Sequence, residues 1–546
     1  MSRNLLRFGL ALFLSISGKE INLQAQSTVQ KSSVFETEYA GFSPKLLHEK
    51  AGKIYGANVA HNLIRVVVYN KANLSEESQF DVEIGLADLT QYALLDLIWF
   101  NGRITAIIKE DNASATWLGV KALPINIETR KLEKPIMLYR KKYDKRSERG
   151  QFKVDFSKER LVLQNASYSI DRGITEKLWT IYDADLKKLM SYEYQVQGKE
   201  EDLYSSVVFD QEGNLYFQND DQLFIHPMDE TKPVKKIALP MIKEEELIAF
   251  SFQVAAMPNG QIAICAFYQS EDSIQEANSN FGGIEVPFDD FTTEGILYYV
   301  FDPSSQGFVV QRKHKFEQDY VDRFLEDDAI GKQSRIPQVF TNIKLYFDEI
   351  GACYLLGERL VQRPMFDFGV IYSTNTTDVS KQTGETFELE DLILLKLDVR
   401  GDIAWQEYVP KMQRYIWRDL KGIETILDSD RALTQRPLGE YDYFSFYARL
   451  GEEGIELFYN DDEKNKQGRV SYEDVKLYRY PDQGGPVYLL FDKESGAAKT
   501  RAFWEDLVAE DDLFFKTQNL FYSELEKSYY GILSRKEDFQ LIRFRP

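Results

Sequence analysis

The sequence predicts an all-β fold, a β-propeller of four-stranded antiparallel blades, and three observations carry that prediction. A two-strand unit with a tight turn recurs along nearly the whole 546-residue chain. Aromatic residues reach 14%, with 32 Tyr and 36 Phe, which favours pleated, half-buried strands and argues against a disordered chain. The length exceeds one ordinary core, so the chain is either several domains or one large repeat architecture.

The unit is clearest in "VVFDQEGNLYFQND" (207–220), where Val207–Phe209 runs in, Asp210–Gly213 turns and Leu215–Phe217 runs out. Aligned on the turn, it returns as "LLHEKAGKIYG" (46–56), "LIWFNGRITAII" (97–108) and, without glycine, "FKVDFSKERLVLQ" (152–164). It returns again as "QVAAMPNGQIAICAF" (253–267), "KLYFDEIGACYLLG" (344–357) and "SFYARLGEEGIELFYN" (445–460), with a weaker copy in "NLFYSELEKSYYGIL" (519–533). Gly and Asn recur there because tight hairpin turns need positive φ, which costs these residues least. Each hairpin is followed by a second strand pair, as in "KLWTIYDADLKKLMSYEY" and "LILLKLDVRGDIAWQEYV". Each unit is therefore a meander of strands A to D.

The period is 50 residues from Gly52 to Gly102 and 47 from Gly213 to Gly260. Four strands at this period are the signature of a propeller. One such sheet cannot bury both faces alone, whereas a ring of sheets buries both and protects the edges. The last unit supplies three strands, ending in "DFQLIRFRP", and "SVFETEY" (33–39) is a spare strand that completes it. That count gives eight blades within a single domain spanning 33–546; seven is the alternative, because the first and last units are weakly patterned.

The net charge of −21 argues against nucleic acid or anionic membrane as a partner, since both require clustered Lys and Arg. The basic run "YRKKYDKRSERG" (139–150) reads as a solvated loop. Residues 1–25 read as an export signal: Arg3 and Arg7, the short apolar core "FGLALFLSISG", then small residues before a cleavage point after Ala25. The apolar run is too short to span a bilayer comfortably, so no membrane insertion is expected after signal cleavage. The expected location is the periplasm, cell surface or extracellular space. The two cysteines, Cys265 and Cys353, sit in apolar strands of neighbouring units and read as buried thiols.

The later units are longer, with 91 residues from Gly260 to Gly351 and 103 from Gly351 to Gly454. The extra length falls between strands B and C (268–295, 357–391, 460–485) and between D and the next A (314–340, 410–443). In a meander these two kinds of connection leave from the same end. The insertions, with any short helices they hold, therefore share one face, and long loops on a rigid scaffold commonly carry function. "YIWRDLKGIETIL" (415–427) has helical apolar spacing and predicts one such helix.

Within that face, "PFDDF" places Asp289 and Asp290, and "MFDF" places Asp367, between aromatics, a pattern suited to general acid and base work on sugars. Four dispersed histidines give no His-rich metal site. No metal or cofactor is expected. Calcium stays open as a ligand, although "NDDEKNKQG" (460–468) misses the Asp-x-Asp-x-Asp-Gly spacing and reads as a turn. No nucleophile elbow or phosphate loop is present. Asn73, Asn112, Asn165 and Asn375 each head an Asn-x-Ser/Thr triplet.

The chain resembles β-propellers in general over nearly all its length. In texture, with "FYNDDEKN" (458–465) as a strand end, it resembles uncharacterised exported propeller-like proteins of Gram-negative bacteria. The resemblance carries no catalytic residue. The expected role is a binding or scaffold protein for a protein or glycan ligand, with Arg363, Asp367, Tyr415, Trp417 and Arg418 as contacts, since Arg, Trp and Tyr dominate hot spots. The alternative is a carboxylate-dependent carbohydrate-active or other hydrolase using Asp289, Asp290 and Asp367 on the same face.

Overall fold

In the computed structural model, residues 29–36, 44–60, 63–85, 91–112, 117–142, 151–156, 159–169, 172–197, 206–219, 221–229, 231–270, 292–317, 321, 336–337, 340–366, 382–418, 444–465, 476–478, 484–502, 513–535 and 538–545 are described. They form an eight-bladed β-propeller of antiparallel sheets. Blade 1 is Lys45–Lys50, Lys53–Ala60, Leu63–Asn70 and Glu76–Glu83. Blade 2 is Gln91–Phe100, Arg103–Asn112 and Trp117–Asn126, with an outer strand split into Lys131–Leu132 and Ile136–Lys142. Blade 3 is Gln151–Phe156, Leu161–Ser169, Ile174–Tyr182 and Lys188–Gln197. Blade 4 is Val207–Phe209, Leu215–Asn219, Gln222–His226 and Lys235–Ala238. Blade 5 is Leu247–Ala256, Ile262–Ser270, Gly295–Asp302 and Gly307–Lys315. Blade 6 is Phe340–Phe347, Cys353–Phe366, Gln382–Leu397 and Ile403–Val409, with an added strand Gln413–Arg418. Blade 7 is Phe446–Leu450, Gly454–Asp462, Gly484–Asp492 and Ala498–Ala502.

Blade 8 joins the two ends of the described chain. Phe514–Phe515 and Phe521–Ser523 pair with Ser528–Arg535, which pairs with Asp538–Phe544. The outer strand comes from Gln30–Lys31 and Phe35–Glu36, which pair with Asp538–Phe544. The spare N-terminal strand expected from the sequence therefore closes the ring, starting a few residues earlier than "SVFETEY". Ser32 and Gln540 lock it: the Ser32 amide donates to the Leu541 carbonyl at 2.9 Å, and Gln540 Nε2 donates to the Ser32 carbonyl at 2.7 Å.

Eight apolar clusters fill the eight gaps between sheets. The gap between blades 8 and 1 holds Leu46, Ile54, Tyr69, Tyr530, Ile532 and Leu541, with Phe35 packed against them. This cluster makes the count eight rather than seven. Inner strands of adjacent blades touch around the ring, including Phe521–Ser523 against Lys45–Lys50. Cys265 and Cys353 are free, buried thiols in the gap between blades 5 and 6, as the apolar strands around them implied. Burial raises both thiols, Cys353 to about 12, so neither is a ready nucleophile.

The recurrent turn has a chemical basis beyond glycine. In blades 4 and 6 the turn reads Asp-x-x-Gly-x-x-Tyr. Asp210 accepts the Asn214 amide at 2.8 Å and the Tyr216 hydroxyl at 2.8 Å. Asp348 accepts the Ala352 amide at 2.8 Å and the Tyr354 hydroxyl at 3.5 Å. Gly213 adopts φ 88°, and the Arg160 guanidinium of blade 3 lies where a Cβ would stand, donating to the Gly213 carbonyl at 2.6 Å. The glycine thus serves both the turn and the approach of the neighbouring blade.

One expectation is corrected. Tyr415–Arg418 is strand, not helix, because Gln413–Arg418 pairs along Gly384–Leu389. The available sheet edge overrides the helical spacing. The rest of that segment, through Leu427, lies outside the described residues, as do residues 1–25 and Asn375. Asn165 is buried in blade 3, so its triplet is no glycan acceptor in the folded chain.

Two measurements test the ring. Phe35 packs at a tilt against Tyr69 and Phe539, ring centroids 5.7 and 5.2 Å away, so Phe35→Ala should destabilise the whole propeller by about 2 kcal/mol, read from the urea midpoint. His226 is buried beside Tyr192 and Phe217, and burial lowers it to about 4. Its stabilising contribution is complete above the ordinary value of about 6.5 and is lost as pH falls towards 4. His226→Phe should remove that acid-dependent slope, up to about 1.4 kcal/mol per pH unit, in denaturation measured across this window.

Candidate functional site

Sheet order places the A–B and C–D turns at one end of every blade and the B–C and D–A connections at the other. The short Gly turns mark the first end; the insertions leave from the second. Among the described residues, the more extensive built part of the inserted end lies on blades 6 and 7, with a small pair of strands, Thr292–Thr293 and Ile336–Pro337, from the insertions around blade 5.

Blade 6 extends beyond its neighbours there. Strand B runs on through Leu360–Phe366 and strand C begins at Gln382, so much of 357–391 is strand rather than loop. Gln413–Arg418 adds on the other side of strand C, making a three-stranded platform. Its register brings four residues expected as contacts onto one small sheet. Arg363 pairs with Thr386, whose other partner is Ile416; Tyr415, Trp417 and Arg418 pair with Phe387, Glu385 and Gly384. Asp289, Asp290 and Asp367 lie outside the described residues.

The platform is rooted in buried charge that the sequence reading did not single out. Where it leaves the blade, the strand B–C ladder bulges, and Arg359 stands opposite both Glu390 and Asp391. Arg359 donates to Glu390 Oε2, and its Nη1 lies 3.8 Å from Asp391 Oδ2. Lys411, just before the added strand, is 1% exposed. Its Nζ donates to Glu358 Oε1 at 2.6 Å, Gln413 Oε1 at 3.1 Å and the Leu389 carbonyl at 3.3 Å, and its amide reaches Asp391 Oδ1 at 3.2 Å.

From blade 7, the Ser445 hydroxyl donates to Glu358 Oε2 at 2.5 Å and the Ser445 amide to Gln413 Oε1 at 2.7 Å. Gln413 Nε2 donates to the Asn460 carbonyl at 2.6 Å, and Asn460 Nδ2 donates to the Phe515 carbonyl of blade 8 at 2.8 Å. Asp461 accepts Asn465 Nδ2 at 2.7 Å and the Asp462 amide at 2.8 Å. Asn465 in turn holds both backbone groups of Lys476, at 2.9 Å each. Tyr478, from the blade 7 insertion, runs alongside the added strand: its amide reaches the Met412 carbonyl and its carbonyl accepts the Arg414 amide, each at 2.9 Å. The described parts of the blade 6 and blade 7 insertions are thus stitched together. Residues 460–465 of the Asp-rich run serve this stitching.

Burial dominates the electrostatics. It pushes Asp391 up to about 6, against the pull of Arg359, and Asp461 up to about 7, against the Asn465 hydrogen bond. Raised carboxylates often mark acid–base sites. Here Asp391 is 0% exposed, so its carboxyl anchors backbone rather than meeting a ligand. The sequence signal was present in "GERL" and "FELEDLILL", where charges interrupt apolar strand runs. Among the described residues no group of His, Cys, Asp and Glu is placed to hold a metal ion, and no helix is long and apolar enough to cross a membrane.

No protein-family model matches the chain, and no curated protein matches it. Among solved structures it is similar to the WD40 domain of SCAP from fission yeast, at 7% identity over 95% of this chain and 98% of that one, TM-score 0.35. It is also similar to the Dos1 propeller, at 9% identity over 94% and 95%, TM-score 0.33. A europium-containing methanol dehydrogenase is similar at 8% identity over 95% and 93%, TM-score 0.35. The fold rests on this chain's own strand pairing, and these likenesses assign it no activity.

The buried network predicts strong non-additivity. Lys411→Ala leaves Glu358 buried without its cation and should cost about 3–5 kcal/mol. Lys411→Met combined with Glu358→Gln removes both charges and should cost much less, as urea denaturation of the full double-mutant cycle will show.

Proposed function

We propose that the protein is an exported binding or scaffold protein that takes a protein or glycan ligand on the inserted end of blades 6 and 7. One observation carries the reading: a three-stranded platform with Arg363, Tyr415, Trp417 and Arg418 at its strand positions stands on a root fixed by buried ion pairs. A rigid base reduces the ordering cost of binding, which is why sites are commonly held on such supports. Export rests on the N-terminal pattern of residues 1–25, and the net charge of −21 fits a partner other than nucleic acid.

The test is a binding screen of the chain lacking residues 1–25 against immobilised oligosaccharides and secreted proteins. Any ligand found should bind at least about tenfold more weakly to Trp417→Ala and Arg418→Ala variants of unchanged thermal stability. A ligand indifferent to both, but lost on Glu452→Lys and Glu524→Lys at the short-turn end, would transfer the function to the opposite face.

A further inference from the structure

We propose that the buried cluster of Glu358, Glu390, Asp391 and Asp461 with Arg359 and Lys411 is a proton-operated lock, holding the platform to blades 6 and 7 when Asp391 and Asp461 carry protons and loosening it when these two lose them. The inference names the regulation of the site proposed above, and its binding consequence rests on that reading.

The geometry carries it. Among the described residues, four buried carboxylates, Glu358, Glu390, Asp391 and Asp461, stand with two buried cations, Arg359 and Lys411. Arg359 is committed to Glu390, and Lys411 to Glu358. Asp391 Oδ2 is buried with no hydrogen-bond partner, its cation 3.8 Å away. A lone carboxylate oxygen in that position costs free energy as an anion and much less as a neutral acid. Asp461 lies across the same lysine, on blade 7, beside Asp462. Two further cations stand near, one of them, Lys344, acting on Glu358, but neither is among the charges that act most on Asp391 or Asp461. Lys344, on the inner strand of blade 6, is directed over the Phe446 ring at 4.6 Å, and Arg414 sits on the added strand. The described histidines, His48, His226 and His314, lie on blades 1, 4 and 5. Three joints of the platform meet at this cluster: the bulge, the Lys411 link into the added strand and the Asp461–Asn465–Lys476 clasp.

The sign follows from the direction of the shifts. Both aspartates hold their protons more tightly in the fold than the ordinary carboxyl value near 3.9. Their contribution is present below that value and is lost as pH rises through about 6 to 7. This trend opposes that of His226, so the root of the platform and the gap between blades 3 and 4 respond to acid in opposite senses.

Hydrogen exchange by mass spectrometry tests the lock at about pH 5.5 and about pH 8, after correction for intrinsic exchange rates. Protection of 382–391, 411–418 and 461–465 should fall at least about tenfold from the lower to the higher pH, while blade 2 strands keep theirs. The Asp391→Asn and Asp461→Asn double variant carries neutral isosteres of the protonated acids. It should keep the protected state at both pH values. Protection ratios that do not change with pH in the unmodified chain overturn the lock, and that arm needs no variant to fold. A fall shared equally by blade 2, or one that persists in the double variant, overturns it too. A platform that loosens as described in a chain that binds nothing in the ligand screen upholds the lock and removes the binding reading alone.

Discussion

A four-stranded sheet with two apolar faces has no stable solution on its own, and everything else in this molecule follows from that constraint. Each face needs a partner sheet, each partner brings another face, and only a closed ring ends the series. The clusters between blades are that requirement made visible, one in each gap. The gap between blades 8 and 1 has to be filled by residues from opposite ends of the chain, which is why Phe35 packs with Tyr69 and Phe539. Polar ties follow the same circuit. Ser206 clasps Val254 between blades 4 and 5, His314 meets the Gly401 carbonyl between 5 and 6, and Tyr346 reaches the Ala448 carbonyl between 6 and 7.

A ring held this way leaves its two ends free to differ. One end carries turns of a few residues, capped by Asp side chains and held at positive φ. The other accepts long insertions, and residues of these connections also pack into the gaps, as Phe316 and Val321 do between blades 5 and 6. In blades 6 and 7 the insertions have become part of the scaffold, through strand extension and a buried polar network. Buried charge is an expensive way to fix a joint, since the ions lose their hydration and regain it only through good geometry. A hydrophobic root of equal volume would hold at least as firmly. The charged root differs in answering to protons, and that gives the cluster a physical rationale beyond stability.

Most of the architecture was legible in the sequence because it rests on local chemistry. Turn glycines at Gly52, Gly102, Gly213, Gly260 and Gly351, all at positive φ, set the blade register, and alternation set the strands. Even the closing strand could be read, by counting what the last unit lacked. The helix expected at 415–427 failed at Tyr415–Arg418 because apolar spacing does not reveal an open sheet edge supplied by residues thirty positions away. The buried network was harder for a related reason. Glu358, Glu390, Asp391 and Lys411 look like ordinary surface charges until the bulge and the link at Lys411 bring them inside. Aromatic and arginine content singled out Arg363, Tyr415, Trp417 and Arg418, which fall on the platform strands, whereas Asp289, Asp290 and Asp367, singled out by their aromatic neighbours, lie outside the described residues.

The N-terminal strand also bears on how the molecule is made. The hydrogen bond between Gln540 and the Ser32 carbonyl spans 508 residues, whereas successive blades meet after about one repeat length. Loop-closure entropy grows slowly with span, so this contact costs only about 2 kcal/mol more than a blade-to-blade contact. The kinetic consequence is larger. Blades 1 to 7 can assemble in order as the chain emerges, yet blade 8 has no outer strand until both ends meet. An open arc, with one bare sheet edge and one uncovered apolar face, is the natural late intermediate, and its lifetime sets the period in which two chains could exchange ends.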